Sequence, residues 1–488
     1  MMFETFRRRL RRWFRAPEPP AEREKPRRRQ DRGPVPEVSR DAPPVQEAQV
    51  VLPGVSPVVK ADQEKVDLVI GLDFGTAGTK VVIRSPFFPG RPAVAVRFGQ
   101  LGHSSSPYLL PTRVYVGSGG GVSLDGEEGD SQVADLKLCL LARRSDQIAL
   151  PVAYLALVLR EARTRFLSGE RDTYNRFDVR WSLNLGIPSA GYDDLTVRET
   201  FRRAARAAWY LSVGDSEITY DRATEGLHLE AGQSFDPGIP IEVVPEVVAQ
   251  ALGYARSHLR ESGLHLLVDV GATTLDICGF VLHERESQDR YELLTTTVDR
   301  LGTLELHKQR LVSLRCQTAS GGETGELDDP LMPLPRWPAE YHPGCSCEPR
   351  DIDGQFRDEA TRVVMRHLLD LRRHRDPRSP RWQTGLPVFL CGGGSGADLF
   401  NRAVGEADWR FREATQTAGL RQRRLPEPDD LTNEDVSDGL FHRLSVAYGL
   451  SFMVWDIGGM SPPHEIDDVS PPLPPRDIGD NFVSKDQV

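Results

Sequence analysis

The sequence lacks the features that mark membrane-spanning and secreted proteins. Its 488 residues contain no apolar run near the roughly 20 residues that a membrane-spanning helix needs. The arginine-rich start is not followed by a long apolar run and a small-residue cleavage site, so no secretory signal is predicted. The six cysteines are scattered through the chain, which argues against a disulfide scaffold and favours a cytoplasmic location.

Basic residues exceed acidic ones near the start of the chain: the first 33 residues hold twelve Arg/Lys and five Asp/Glu, a net of +7. The whole chain carries −10, so residues 34–488 carry −17. An acidic body is a poor electrostatic partner for a phosphate backbone. We therefore expect no nucleic-acid partner.

Residues 1–15 predict an amphipathic basic helix. At about 100° per residue its apolar side chains fall in one arc, and arginines cover the rest. Such a helix suits either the inner membrane surface or a partner protein, and the sequence leaves both open. Residues 16–63 are rich in Pro and Arg without apolar periodicity, which predicts a disordered linker.

The patterns from residue 64 to 456 predict a folded α/β body. Thr196 and Glu199 form a T-x-x-E capping box that predicts a helix start at Thr196. Residues 317–350 predict a long surface insertion, and 457–488 a disordered Pro-rich tail. In chain order we expect strand–turn–strand (65–84), helix (146–168), strand (179–187), the helix from Thr196, helix (246–259), strand–turn–strand (264–282), helix (358–374), strand (387–391), helix (397–404) and helix (440–454).

Two strand–turn–strand segments carry the same small-residue turn after an aspartate. The first places Asp73 before a turn with Gly75, Thr76, Gly78 and Thr79, and the second repeats the pattern. Small residues let backbone N–H groups approach anionic oxygens, and a carboxylate at a strand end suits Mg²⁺ held through water. The second segment holds Asp269, Gly271, Thr273, Thr274 and Asp276.

A third glycine turn, with Gly393, Gly394 and Ser395, lies between a predicted strand and helix and suits a nucleoside. The string G-x-x-x-x-G-K-[ST] is absent, which excludes a P-loop. Gly392, Gly394 and Ala397 also satisfy the dinucleotide pattern G-x-G-x-x-A. No second strand is predicted after residue 404, and this argues against that alternative.

The order of these three turns resembles the phosphate-1, phosphate-2 and adenosine motifs of the superfamily of actin, heat-shock-70 chaperones, cell-division ATPases and sugar kinases. The resemblance covers roughly residues 66–455. It implies an actin-like α/β fold, with two ribonuclease-H-like lobes (64–245 and 246–456) around a cleft for ATP and Mg²⁺. VPEVVAQALGYA at 244–255 and SVAYGLS at 445–451 look like the inter-lobe helices of the chaperone branch.

By this resemblance Asp73 and Asp269 order the Mg²⁺ waters, and Glu246 and Asp276 position metal or attacking water. Lys137 falls where the chaperone branch has its catalytic lysine. Glycines and threonines of the first two turns contact phosphates, and Gly393, Gly394 and Ser395 line the adenosine pocket.

Three departures separate the chain from heat-shock-70 chaperones. The second turn reads GATT where relatives have GGGT, and Ala397 stands where chaperones carry an arginine that stacks on adenine. Only 33 residues follow Trp455, so no peptide-binding domain is expected after it.

The leading hypothesis is a heat-shock-70-like, low-turnover Mg-dependent ATPase that acts as a nucleotide-dependent switch on a protein partner. The first alternative is a filament-forming actin-like or cell-division-type ATPase with the 1–15 helix as membrane anchor. A small-molecule kinase is the second, because D-F-G-T-x-x-T-K also resembles the start of sugar kinases. A nucleotide-binding scaffold with little turnover is the third.

Overall fold

The computed structural model describes residues 64–99, 101, 106–142, 147–232, 235–286, 288–317, 350–433, 435–436 and 438–467. The predictions for residues 1–15, for the linker and for nearly all of the insertion at 317–350 fall outside these ranges. Within them, no helix is both long enough and apolar enough to cross a membrane.

The first half of the body folds around one sheet. Its strands are β1 (Lys65–Phe74), β2 (Gly78–Arg84), β3 (Ala93–Ala95), β4 (Leu110–Pro111), β8 (Asp178–Ile187) and β9 (Ile241–Pro245). The order is β3-β2-β1-β8-β9, with β4 also paired to β2. β1 pairs antiparallel with β2 and parallel with β8. A small separate sheet has the order β6-β5-β7 and contains β5 (Val114–Val116), β6 (Val122–Ser123) and β7 (Ser131–Val133).

The second half folds around a sheet of the same design. Its strands are β10 (Gly263–Val270), β11 (Leu275–Arg285), β12 (Gln288–Asp299), β13 (Leu386–Cys391), β14 (Leu420–Arg423) and β15 (Gly459–Ser461). The order is β14-β13-β10-β11-β12-β15, in which β10 pairs antiparallel with β11 and parallel with β13. Without β15, this order matches that of the first sheet strand for strand. The predicted pair of ribonuclease-H-like α/β lobes is thereby confirmed.

Helices connect and cover the two sheets. In the first half they are α1 (Leu136–Leu141), α2 (Ala149–Gly169), α3 (Arg171–Tyr174), α4 (Ser189–Tyr192), α5 (Leu195–Val213) and α6 (Tyr220–Glu230). In the second they are α7 (Glu246–Ala255), α8 (Thr303–Gln317), α9 (Arg350–Asp370), α10 (Arg381–Thr384), α11 (Asp398–Thr415), α12 (Asp438–Leu450) and α13 (Val454–Ile457). A π-helical turn, Leu371–Arg375, follows α9, and a 3₁₀ turn spans Pro463–Glu465.

The helix pair α7 and α12 is the layer shared by both sheets. One apolar cluster joins both helices to Val82 of the first sheet and to Leu267 of the second. The next residue, Val268, packs in a different cluster with α9 and α11, because neighbouring strand residues point to opposite faces. α2, α5 and α6 share a third cluster with β1. The α7–α12 pair therefore packs against both sheets.

Several predicted boundaries differ from the structure. α5 begins after Asp194, whose carboxylate accepts from the N–H groups of Thr196 and Val197 at 2.9 and 3.3 Å. The predicted capping box is therefore wrong, and Glu199 pairs with Arg202 on the helix surface instead. α7 ends at Ala255 rather than at 259, and α11 continues to Thr415 rather than to 404.

Several strands occupy positions where the sequence predicted none, among them the 12-residue β12 and the short strands β14 and β15. β14 follows α11 and pairs parallel with β13, so the expectation of no strand after residue 404 is wrong. β15 pairs parallel with β12, so residues 459–467 are not part of a disordered tail. The division between lobes at residues 245 and 246 remains a prediction.

Candidate functional site

The turns of the two duplicated hairpins border one cavity of about 440 Å³. The β1–β2 turn lies on one side and the β10–β11 turn on the other, and the turn after β13 closes a third side. Its lining residues are Asp73, Gly75, Thr76, Ala77, Gly78, Lys80, Leu109, Lys137, Glu246, Gln250, Asp269, Gly271, Ala272, Thr274, Asp276, Thr303, Gly392, Gly393, Gly394, Gly396, Ala397, His442, Arg443 and Val446. This cavity lies between two Asp-Gly turns of opposite lobes. The fold is actin-like.

The first turn is compact because its closest backbone contact joins two glycines, Gly75 and Gly78, which have no side chains. A Cβ on Gly75 would lie 2.4 Å from the carbonyl oxygen of Gly78, which no side chain tolerates. The carbonyl of Gly75 accepts a 2.7 Å hydrogen bond from Thr112 Oγ1. Asp73 ends the approach to this turn, and its Oδ2 accepts from Lys80 Nζ at 2.8 Å. The turn thus presents its backbone and a lysine–aspartate pair to the cavity.

The second turn is fastened to the start of α8. The Gly271 N–H donates to the carbonyl of Thr274 at 2.9 Å, and the Thr303 N–H donates to the carbonyl of Gly271 at 3.1 Å. A Cβ on Gly302 would come within 2.4 Å of the Ala272 carbonyl, so only glycine permits this contact. The turn is therefore held rigidly at the cavity wall, although it reads GATT rather than GGGT.

The third turn rests directly on the second. The Gly394 N–H donates to the carbonyl of Val270 at 2.9 Å. Gly392 has φ +82°, and a Cβ there would lie 1.9 Å from Asp269 Oδ1. Only glycine combines this backbone conformation with so close a carboxylate. Gly392 therefore fixes the position of Asp269.

A buried ion pair stands beside these turns. Lys137 Nζ lies 2.6 Å from Glu246 Oε1, and the two side chains are 5% and 13% exposed. Burial disfavours the ammonium ion, but the charges of Glu246, Asp73 and Asp276 outweigh it and raise the pKa of Lys137. Burial also raises the pKa of Glu246, although Lys137 opposes this rise. Lys137 therefore remains charged at neutral pH.

Negative charge accumulates between the turns. Burial, followed by repulsion from Glu246 and Asp73, raises the pKa of Asp269 to about 7. Burial and the charge of Asp269 raise the pKa of Asp276 to about 8. Thr274 Oγ1 lies 3.2 Å from Asp276 Oδ2, whereas Oδ1 of Asp276 is buried without a hydrogen-bond partner in the described structure.

This donor set fits a hydrated divalent cation. Four carboxylates line the cavity together with Lys80, Lys137 and Arg443, so a bound cation would relieve the repulsion that helps to raise the pKa values of Asp269 and Asp276. Across the described ranges, no three Asp, Glu, His or Cys side chains converge closely enough to hold a metal directly. The arrangement suits a cation whose own waters contact the carboxylates.

Most of the residues predicted from the sequence line this cavity, and three do not. Thr79 is fully buried behind the turn, where its Oγ1 lies 3.1 Å from Thr112 Oγ1, so the structure does not bring it to the cavity. Thr273 lies outside the lining and is 6% exposed, so its predicted part in nucleotide binding stays a prediction. Ser395 lines an adjoining cavity and donates from Oγ to the carbonyl of Gly392 at 2.8 Å.

Other lining residues were missed by the sequence analysis. Lys80 stands two residues beyond Gly78 on the cavity face of β2, and Gln250 follows Glu246 by one turn of α7. Strand and helix periodicity indicates both once their neighbours are assigned. No local pattern indicates Arg443, because α12 comes from a distant part of the chain.

No protein-family profile and no curated protein sequence match this chain. One solved structure to which it is similar is MreB5 of Spiroplasma citri bound to ADP. The identity is 13% over 79% of this chain and 94% of the other, and the TM-score is 0.37. The assignment of the fold rests on the matching strand orders of the two sheets.

Proposed function

We propose that this protein binds Mg-ATP between its two lobes and hydrolyses it to ADP and phosphate. The observation that carries the proposal is the pair of duplicated Asp-Gly turns that border one cavity, with the Gly392–Gly394 turn beside them. Nothing in this geometry is particular to heat-shock chaperones. The proposal is therefore the activity common to the actin-like superfamily.

The phosphates would lie between the two hairpin turns. Gly75, Thr76 and Gly78 line one side of the cavity, and Gly271 and Thr274 line the other. Small residues expose backbone N–H groups, which bind phosphate oxygens without a bulky side chain in between. Two such turns bind a polyphosphate chain from opposite lobes, so nucleotide binding would hold the lobes together.

Asp73 and Asp269 would hold Mg²⁺ through its waters. Bound Mg²⁺ neutralises phosphate charge and orients the γ-phosphate for attack. Asp276 Oδ1 is buried and unpartnered within the described structure, so it is an acceptor ready for a metal-bound or attacking water. Glu246 is held by Lys137 in the same place.

Lys137 would stabilise the charge that develops on the γ-phosphate. Its pKa is raised, so its ammonium persists although the side chain is buried. A preorganised positive charge in such a site lowers the barrier for phosphoryl transfer. Lys80, paired with Asp73, is the second cation available for this role.

The proposal is tested by measuring Mg-ATP binding and turnover in wild type, Asp73→Ala and Asp269→Ala. Asp67→Ala is the matched control, because Asp67 lies on β1 outside the cavity and pairs with Arg180. We expect both cavity variants to lose at least about 100-fold in turnover, as expected when a metal-orienting carboxylate is lost. The control should stay within about twofold. Wild type that is folded but binds no adenine nucleotide would contradict the proposal.

The same samples distinguish the uses of such an ATPase. Pelleting that requires ATP and is lost in Asp269→Ala would indicate a filament-forming protein. Turnover without pelleting, with a different hydrodynamic radius in ATP and ADP, would indicate a monomeric switch. Phosphate transfer to an added small-molecule acceptor, instead of to water, would indicate a kinase.

A further inference from the structure

A second cavity of about 650 Å³ adjoins the nucleotide cavity. The two share Gly392, Gly393, Gly396, His442 and Arg443 as lining residues. The third glycine turn therefore has a cavity on each side. The proposed nucleoside would lie at this junction, with its 5′ phosphates on the carboxylate side.

The second cavity is lined by positive charge. Arg423, Arg424 and Arg443 contribute to its wall, and no Asp or Glu is among its lining residues in the described ranges. Neither Arg424 nor Arg443 has a hydrogen bond or ion pair with another described residue. Unpaired arginines at a cavity wall are suited to bind an anion, especially the oxygens of a phosphate.

The nearest carboxylate is already shared among several arginines. Glu261 accepts from Arg423 at 2.6 Å, and it also pairs with Arg381 at 2.6 Å and Arg421 at 2.8 Å. Hydrogen bonding from Arg421 and the charge of Arg381 lower the pKa of Glu261. One negative charge thus faces three positive ones, so this wall keeps a net positive charge.

Arg443 connects this wall to the nucleotide cavity. It lies on α12, and its Nε would be 3.6 Å from a Cβ placed on Gly393. Burial lowers its pKa, which shows a guanidinium held partly out of water without a compensating anion. A bound anionic group would provide that compensation.

We propose that the preferred ligand is an adenine nucleotide with a second phosphate on its ribose, in addition to the 5′ phosphate chain. The second phosphate would contact Arg424 and Arg443 in the second cavity. This inference rests on the proposed function, because it assumes that the nucleotide occupies the first cavity. It adds that the ligand is anionic at both ends.

The test compares the affinity of two probes in the presence of Mg²⁺: ADP, and ADP with an added 3′-phosphate. A third probe carries the phosphate at the 2′ position. Wild type should bind at least one of the two ribose-phosphorylated probes about tenfold more tightly than ADP. That preference should decrease with added salt, because it is electrostatic.

The variants are Arg424→Gln, Arg443→Gln and the double substitution. Arg410→Gln is the matched control: it removes the same charge from α11, where Arg410 pairs only with Glu406 among the described residues. Each cavity variant should lower the preference for the ribose-phosphorylated probe at least threefold. Arg424 does not line the nucleotide cavity, so Arg424→Gln should also leave ADP binding within about twofold. Arg443 lines both cavities, so for Arg443→Gln the loss for the ribose-phosphorylated probe should exceed the loss for ADP at least threefold. The control should change neither affinity.

Equal wild-type affinity for all three probes would overturn the inference and leave the proposed function intact. Equal losses for ADP and its ribose-phosphorylated forms would also overturn it, because the arginines would then contact the base or the 5′ phosphates. If folded wild type bound none of the probes, both the inference and the proposed function would fail.

Discussion

Single side chains in the cleft carry charge that the protein does not balance. Asp73, Glu246, Asp269 and Asp276 share a cavity with three basic side chains, Lys80, Lys137 and Arg443, and burial strengthens the repulsion among the carboxylates. Two consequences follow at this scale. The protein without ligand should be sensitive to pH near neutrality, and the two lysines should differ in their effect on catalysis.

We expect the ligand-free protein to lose stability as pH rises from about 5 to 9. The pKa of Asp276 is raised to about 8 in the folded state, so the folded state favours the proton that the unfolded chain has already released. This contribution to stability is complete below the unfolded pKa and is lost as pH rises through the folded one. Asp276→Asn should therefore be more stable than wild type at pH 9, by at most about 6 kcal/mol, since the pKa is raised from 3.8 to about 8 and one pKa unit is worth about 1.4 kcal/mol.

Thermal unfolding at pH 5, 7 and 9 measures this difference, with Asp67→Asn as the control for charge loss on the surface. A stability gap that stays constant across the three pH values would show that Asp276 does not titrate in this range. Saturating Mg-nucleotide should remove the pH dependence of wild type, because the cation replaces the proton.

Lys137→Gln should lower ATP turnover by roughly 100-fold and leave Mg-ATP affinity within about tenfold, since the charge acts mainly on the transition state. Single-turnover hydrolysis and equilibrium binding measure the two quantities separately. Lys80→Gln is the comparison, because Lys80 pairs with Asp73 instead. If Lys80→Gln lost turnover and Lys137→Gln kept it, the catalytic role would belong to Lys80.

Asp73 and Asp269 were predictable because each follows an apolar strand run. The positions of Thr79 and Lys80 show what the turn sequence alone does not predict. Both follow the first turn, but successive strand residues point to opposite faces, and Thr79 is buried while Lys80 lines the cleft. Which face meets the cavity depends on the neighbouring strands and not on the turn sequence.

Within individual elements, the ends depend on a few polar or glycine contacts. Asp194→Ala should lower the free energy of unfolding by about 1 kcal/mol, because it removes the acceptor for two N–H groups at the start of α5. Glu199→Gln should change it by less than about 0.5 kcal/mol, as for an exposed ion pair. Urea unfolding measures both free energies. A larger effect from Glu199→Gln than from Asp194→Ala would support the predicted capping box.

The turn after β13 should tolerate alanine at one glycine and not at another. Gly392→Ala places a Cβ against Asp269 and forces a left-handed backbone that costs about 1–2 kcal/mol. We expect nucleotide binding to weaken at least tenfold. Gly396→Ala is the control, because a Cβ there meets no heavy atom within 4 Å. Equal affinities of the two variants in an ADP titration would refute the role assigned to Gly392.

The sequence analysis missed short elements such as β14 and β15, and also longer ones such as β12 and α8. β14 has four residues and β15 three, too few for an alternating pattern to stand out. Both exist because a neighbouring strand offers unpaired backbone groups. Long elements such as α2 and β1 carry enough periodicity to be recognised from the sequence alone.

Across the whole molecule, the duplication was visible in the repeated D-x-G turn, but the crossing of the two central helices was not. A Cβ on Gly449 of α12 would lie 1.8 Å from the carbonyl oxygen of Ala249 on α7. A Cβ on Gly71 of β1 would lie 2.2 Å from the carbonyl of Ala447. These contacts join residues 200 and 376 positions apart, and no local pattern encodes them.

Gly449→Ala should destabilise the protein by about 1–3 kcal/mol or more, because the helices must separate to admit the methyl group. Gly253→Ala, on the facing helix, meets its nearest neighbour, Tyr448, at 3.6 Å and should be close to neutral. Thermal unfolding measures both. If Gly449→Ala were as stable as Gly253→Ala, the helix pair would not be the tight joint between the lobes.

The packing of α12 on β1 and β2 has a consequence for synthesis on the ribosome. These strands leave the exit tunnel early, but the helix that covers their inner face is encoded only at Asp438–Leu450. At a translation rate of about 5–20 residues per second, that face remains uncovered by α12 for on the order of tens of seconds. The nascent N-terminal lobe therefore exposes an apolar sheet surface until translation is almost complete.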